Sequence, residues 1–98
     1  MSAPYRSTPV FDETTLPAGL RGEHRTKSGV WGVIRVIEGQ LLLRRLDRQV
    51  ETVVTPARPA LVLPEQRHRV VPMGRMRMRV DFYDEPPALP GDHVAGGK

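Results

Sequence analysis

The 98 residues carry 15 Lys and Arg against 11 Asp and Glu, a formal net charge of +4 and a pI near 10.3. There is no cysteine, which excludes disulfides, thiolate metal sites and cysteine nucleophiles. No apolar run approaches the ~18–20 residues that span a bilayer as a helix. The opening MSAPYRSTPVF lacks the apolar core of a signal peptide, so a cytoplasmic protein with no membrane partner is expected.

A chain of this length makes one domain and buries only roughly 60–65% of its unfolded surface. Tight packing or a homodimer is therefore expected. The basic balance draws attention to anionic partners. The plainer alternative is that arginines decorate the solvent faces of strands, where every second side chain meets water.

Residues 1–9 are polar, carry two prolines and read as an extended arm. DETTLP, residues 12–17, holds a short turn or helical turn capped by Asp12 or Thr14, and Pro17 and Gly19 argue against a longer helix. From there the chain reads as β. VWGVIRVI, residues 30–37, is β-branched and aromatic with imperfect alternation, as in a strand covered on both faces. Gly39-Gln40 makes a turn into LLLRRL, residues 41–46, which is expected to pair back as a hairpin.

VETVVT, residues 50–55, is the next strand, and PARP, residues 56–59, stops it. ALVL, residues 60–63, and HRVV, residues 68–71, follow. The cleanest strand is MRMRVDFYD, residues 76–84: Met76, Met78, Val80 and Phe82 face one way, Arg77, Arg79, Asp81 and Tyr83 the other. The Pro- and Gly-rich end, residues 85–98, reads as a flexible tail containing His93. The expected fold is all-β, a single domain over residues 10–84 of the small barrel or jelly-roll type.

Two separated histidines open strands, His24 and His68. With Glu65 and Asp81 they are a candidate set for a divalent metal (Zn, or Fe, Ni or Mn), since imidazole and carboxylate ligands leave open positions for water or substrate. The alternative is that both histidines hydrogen-bond locally and bind nothing. Arg25, Thr26, Lys27 and Arg67 flank them as a candidate pocket for an oxyanion or small molecule, or as a solvated charged rim. Trp31 reads as a packing residue. The aromatics do not interleave with basic residues as stacking platforms would, so no nucleic-acid partner is expected. No P-loop, dinucleotide or Ser-His-Asp signature is present.

The run STPVFDETTLPAGLRGEHRTKSGVWGVIRVIEGQL, then LVLPEQRHRV, then VDFYD, resembles the TehB/YeaR-like small cupin-like family across residues 6–84. Its members occur as stand-alone proteins and as the N-terminal domain of some tellurite-resistance methyltransferases. The resemblance implies a conical cupin barrel, often with a metal at its mouth, and a link to tellurite, nitrate or nitrite stress. No methyltransferase sequence lies within these residues, so methyl transfer is not implied. Of the first motif of larger cupins only His24 is kept, with Gly32 near the glutamate's place. His68 matches the histidine of the second motif, while TPARPALVLP lacks its glycine.

These readings converge on a small cupin-like protein that binds a divalent metal or small anion in a stress or resistance role. The alternatives are a metal-dependent oxygenase or isomerase using the same site, and a non-catalytic oligomeric interaction module.

Overall fold

In a computed structural model, which describes residues 3–88, two long strands set the frame. β3, Trp31–Glu38, and β8, Arg77–Tyr83, run antiparallel in register from Trp31 opposite Tyr83 to Val36 opposite Met78, with a bulge between Val36 and Glu38. Alternation along β8 sends Met78, Val80 and Phe82 to the main core and Arg79, Asp81 and Tyr83 to the opposite face. β3 is covered on both faces, which is why its own alternation is blurred. Ile34 joins the main core while its neighbour Val33 is equally buried in a second cluster with Trp31, Leu61 and Tyr83.

Two short strands, β1 at Arg6–Ser7 and β2 at Phe11–Asp12, pair with the free edge of β8. The stretch between β2 and the next element is held by the Asp12 carboxylate, which accepts hydrogen bonds from the backbone and hydroxyls of Thr14 and Thr15. Those bonds, the Thr14 hydroxyl first, hold the Asp12 pKa down at about 2. One helical turn follows, α1 at Ala18–Arg21, entered through Pro17.

β6, Ala60–Val62, lies on the other edge of β3 and completes a five-stranded sheet. The second sheet has three strands, with β4 (Leu41–Arg45) between β5 (Val50–Val54) and β7 (His68–Pro72). Leu41, Leu43, Val54 and Val70 of this sheet meet Ile34, Val36, Met76, Met78 and Val80 in one buried core. Burial of each large side chain there contributes roughly 1.5–3 kcal/mol before entropy is counted.

Two expectations are corrected by this layout. β4 does not pair back on β3 as a hairpin; it lies in the other sheet. The cause is the turn between them, where Gly39 sits at φ 76° packed directly on the Arg75 carbonyl and Met76, so the chain crosses the core instead of folding back on its own strand. The second concerns closure. Among the described residues the ladders form two sheets and make no ring, so the supported description is an all-β single domain rather than a closed cupin or jelly-roll barrel.

No described helix is long and apolar enough to cross a membrane. The sequence-predicted tail falls mostly on residues 89–98, which with His93 lie outside the described residues.

Candidate ligand site at the His24–His68 crossing

His24 crosses β7 and joins it through one antiparallel bridge, each backbone N–H donating to the other's carbonyl at 2.8 Å. The two imidazoles consequently meet edge to face, with centroids 5.4 Å apart and planes at 86°. His68 Nδ1 donates to the Gln66 carbonyl oxygen at 2.9 Å, since a carbonyl can only accept, and this leaves the lone pair on Nε2. Burial pushes the His68 pKa below the ordinary imidazole value. The Gln66 bond opposes that shift, and the charges of His24 and Arg45 add to it. His68 is therefore a neutral hydrogen-bonding group at pH 7.

The turn before β7 holds this arrangement. Glu65 adopts a left-handed φ of 63°, and its N–H donates to Thr26 Oγ1 while the Thr26 hydroxyl donates to the Leu63 carbonyl, each at 3.1 Å. Gln66 closes the same turn by accepting from the Leu63 N–H. Thr26 thus ties the segment carrying His24 and Lys27 to the turn carrying His68.

Beside the crossing lies a cleft of about 560 Å³, a size typical of small-molecule sites. Its apolar wall comes from Ile34, Val62, Val80 and Phe82, and Leu20 of α1, Phe11 of β2 and the two histidines line it as well. Gly32, at the inward position level with Val62 and Phe82, leaves the wall open. A Cβ there would stand 3.5 Å from Thr26 Cγ2, 3.7 Å from Val80 Cγ1 and 3.9 Å from Val62 Cβ, in ordinary contact, so the glycine leaves room for a Cβ that no packing demands be empty. Arg6, Arg25 and Lys27 line the cleft, and no aspartate or glutamate does.

The candidate residues from the sequence divide into separate places. Asp81 lies on the far face of the larger sheet, away from the histidines. It accepts from Arg35 Nε at 2.6 Å, Ser7 Oγ at 2.7 Å and Arg79 Nε at 2.9 Å, while Arg35 also reaches the Tyr83 hydroxyl at 3.3 Å. Burial alone would raise its pKa, and the bonds from Arg79, Ser7 and Arg35 outweigh that and lower it. Glu65 is exposed on its turn and is not part of the cleft lining. Arg67 is also outside, 3.4 Å from Glu23. Arg25, Thr26 and Lys27 line the cleft, but the Thr26 proton is taken by Leu63.

The divalent metal expected from the sequence does not fit this geometry. Among the described residues no three His, Asp or Glu side chains converge, and two imidazoles alone are too few for a stable site. Strand alternation is the reason: Asp81 stands between Val80 and Phe82, both of which face the cleft. What the sequence reading missed is the ionic cluster around Asp81 and the gap at Gly32. The signal for the second was a glycine in mid-strand.

Known proteins supply the context. The TehB-like domain family matches residues 6–80. The chain belongs to the TehB-like family. Two curated relatives from strains of Haemophilus influenzae are named probable S-adenosyl-L-methionine-dependent methyltransferase TehB. They are 34% and 32% identical over 71 residues, which is 67% of this chain and 25% of each relative. The TehB-like chain thus spans about a quarter of the length of these relatives.

The crystal structure of TehB from Haemophilus influenzae superposes with a TM-score of 0.77 at 26% identity, covering 96% of this chain and 38% of that one. A crystal structure of a protein from E. coli (strain K12) superposes at 0.76 with 24% identity, covering 87% and 92% of the two chains, and shows the same fold.

The relatives are named for methyl transfer with S-adenosyl-L-methionine and not for metal binding. Together with the absence of a three-ligand cluster among the described residues, this overturns the expected metal-binding cupin. The metal-dependent oxygenase or isomerase falls with it, and the relatives' names do not describe a free-standing oligomeric module either.

Proposed function

We propose that this TehB-like domain binds a small organic molecule in the cleft beside the His24–His68 crossing and works alongside an S-adenosyl-L-methionine-dependent methyltransferase. Its contribution in this reading is the ligand site and not the methyl-transfer centre. The observation that carries it is the cleft itself, apolar along Ile34, Val62 and Val80 and kept open by Gly32, with two imidazoles on its lining. A pre-formed apolar cleft with a few placed polar groups is the usual form of a small-molecule site. In it, His24 and His68 serve as hydrogen-bonding groups toward the ligand.

The methyltransferase partner is inferred from relatives that carry that name and of which this chain matches only a quarter. S-adenosyl-L-methionine itself does not suit this cleft. Its sulfonium and ammonium outweigh its one carboxylate and leave it a net cation, whereas the lining offers three basic side chains and no carboxylate. The cofactor accordingly belongs to the part of the relatives that this chain does not match.

Amide chemical-shift mapping of the 98-residue protein with a neutral probe, 2-naphthylmethanol, tests the reading. Saturable shifts centred on Gly32, Ile34, Val62, Val80 and His68 are expected, together with no calorimetric binding of S-adenosyl-L-methionine. Probe shifts confined to other surfaces, or micromolar binding of S-adenosyl-L-methionine, would overturn it.

A further inference from the structure

The charge around the cleft is as one-sided as its wall is apolar. Arg6, Arg25 and Lys27 all line it, each exposed, and no Asp or Glu lines it. Among the described residues the ion pairs use Arg35, Arg44, Arg67, Arg77 and Arg79, so the cationic groups of the lining are left without carboxylate partners. Elsewhere on the surface Arg67 meets Glu23 and Arg77 meets Glu38, so opposite charges are interspersed there. A concave, low-dielectric wall with one sign of charge along its lining concentrates the opposite charge.

The backbone that carries Arg25 and Lys27 is also held in place. They flank Thr26, which is buried and bonded in both directions to the turn at Leu63 and Glu65, so the segment that carries both cations is anchored. Its other neighbour, His24, is fixed by the two-way backbone bridge to His68. Behind these groups lies apolar surface with the Gly32 gap, which a bare inorganic ion or acetate would leave unfilled.

Resting on the reading of the cleft as a small-molecule site, we infer that its ligand is an amphipathic organic acid, with the anionic head at Arg25 and Lys27 and an apolar or aromatic body against Gly32, Ile34, Val62 and Val80. The head would receive charge-assisted hydrogen bonds at the lip, and the body would displace water from the wall. Neither part alone fills the site.

Three probes of equal bulk separate the claims: 2-naphthoate, 2-naphthylmethanol and 2-naphthylmethylammonium, titrated calorimetrically into the full chain, with acetate as the head alone. The carboxylate is expected to bind about tenfold or more tightly than the alcohol, the ammonium and acetate, a difference of one decade in Kd. In Arg25→Gln/Lys27→Gln, its fold checked by circular dichroism, the carboxylate and alcohol are expected to bind alike. The carboxylate advantage in the wild type should also shrink as salt rises.

If the alcohol or ammonium binds as well as the carboxylate, the acid class is wrong while the cleft reading survives. If the carboxylate advantage persists in the double variant, the head does not sit at Arg25 and Lys27. If none of the naphthyl probes binds, both readings fall together.

Discussion

The imidazoles of His24 and His68 meet edge to face at 5.4 Å over backbones that exchange two 2.8 Å hydrogen bonds. The backbone bonds hold the crossing whatever charge the rings carry, while the rings add a titratable contact within it. The crossing links residues 44 positions apart through the pair that also lines the cleft.

That contact gives a pH dependence of stability. The folded-state pKa of His68 lies below the ordinary 6.5, first because of burial, so the unfolded chain takes up a proton that the native state resists. Its contribution is complete above pH 6.5 and declines as the pH falls from there toward the folded value. Urea denaturation at pH 7.5 and 5.5 is expected to show a lower midpoint at 5.5, and a smaller drop for His68→Gln. Equal drops in both proteins would remove His68 as the cause.

Asp81 gives a second, separate pH window. Its carboxylate is buried and holds Ser7, Arg35 and Arg79, and its pKa is lowered from 3.8. Because both arginines are partly exposed, the loss in Asp81→Asn is expected at about 1–3 kcal/mol near neutral pH, below the full cost of breaking a buried pair. The wild-type advantage is present above pH 3.8 and disappears as the pH falls through the folded value. Denaturant midpoints for the two proteins at pH 7 and pH 2.5 check it; a constant difference at both would mean that the carboxylate charge is not what matters.

Much of the strand order was legible because it rests on short-range pattern. MRMRVDFYD alternates cleanly, and Arg77–Tyr83 is a strand with its apolar half in the core. The short turn at DETTLP was readable from Asp12 and Pro17, and it forms with one helical turn beyond it. Sheet membership was not legible. Leu41–Arg45 looks like the second arm of a hairpin, and only the tight seating of Gly39 on Arg75 and Met76 tells that it crosses to another sheet. The same limit applied at the site. Alternation already put Asp81 on the Arg77/Arg79 face of its strand, and what the sequence did not tell is that the histidines border the opposite face, with Val80 and Phe82.

The Gly39 turn supplies a prediction with an internal control. Gly39 and Gly74 have φ near +77°, but a Cβ on Gly39 would strike the Arg75 carbonyl and stand 3.0 Å from Met76 Cα, whereas one on Gly74 meets nothing within 4 Å. Gly74→Ala is expected to cost about 1–2 kcal/mol for the left-handed backbone alone. Gly39→Ala should cost at least about 2 kcal/mol more, because the backbone itself must shift. Chemical denaturation of both variants measures this, and equal losses would show that the turn has room to relax.

Thr26 is expected to couple stability to the site. In Thr26→Val the Leu63 carbonyl and the Glu65 N–H both lose their partner, an expected loss of about 1–3 kcal/mol. The segment with Arg25 and Lys27 should loosen at the same time, with faster amide exchange at residues 24–27 and 63–66. Unchanged exchange there would mean that the His24–His68 bridge alone holds the segment.

Gly32→Leu shows whether the space left by Gly32 belongs to a ligand. Gly32 is not at positive φ, and a Cβ there makes only ordinary contacts, so the variant is expected to fold with the added side chain lying in the cleft. The affinity for 2-naphthylmethanol, measured calorimetrically in both proteins, should fall about tenfold or more in Gly32→Leu, a loss of one decade in Kd. A folded Gly32→Leu that binds the probe as tightly as the wild type would mean that no ligand occupies that space.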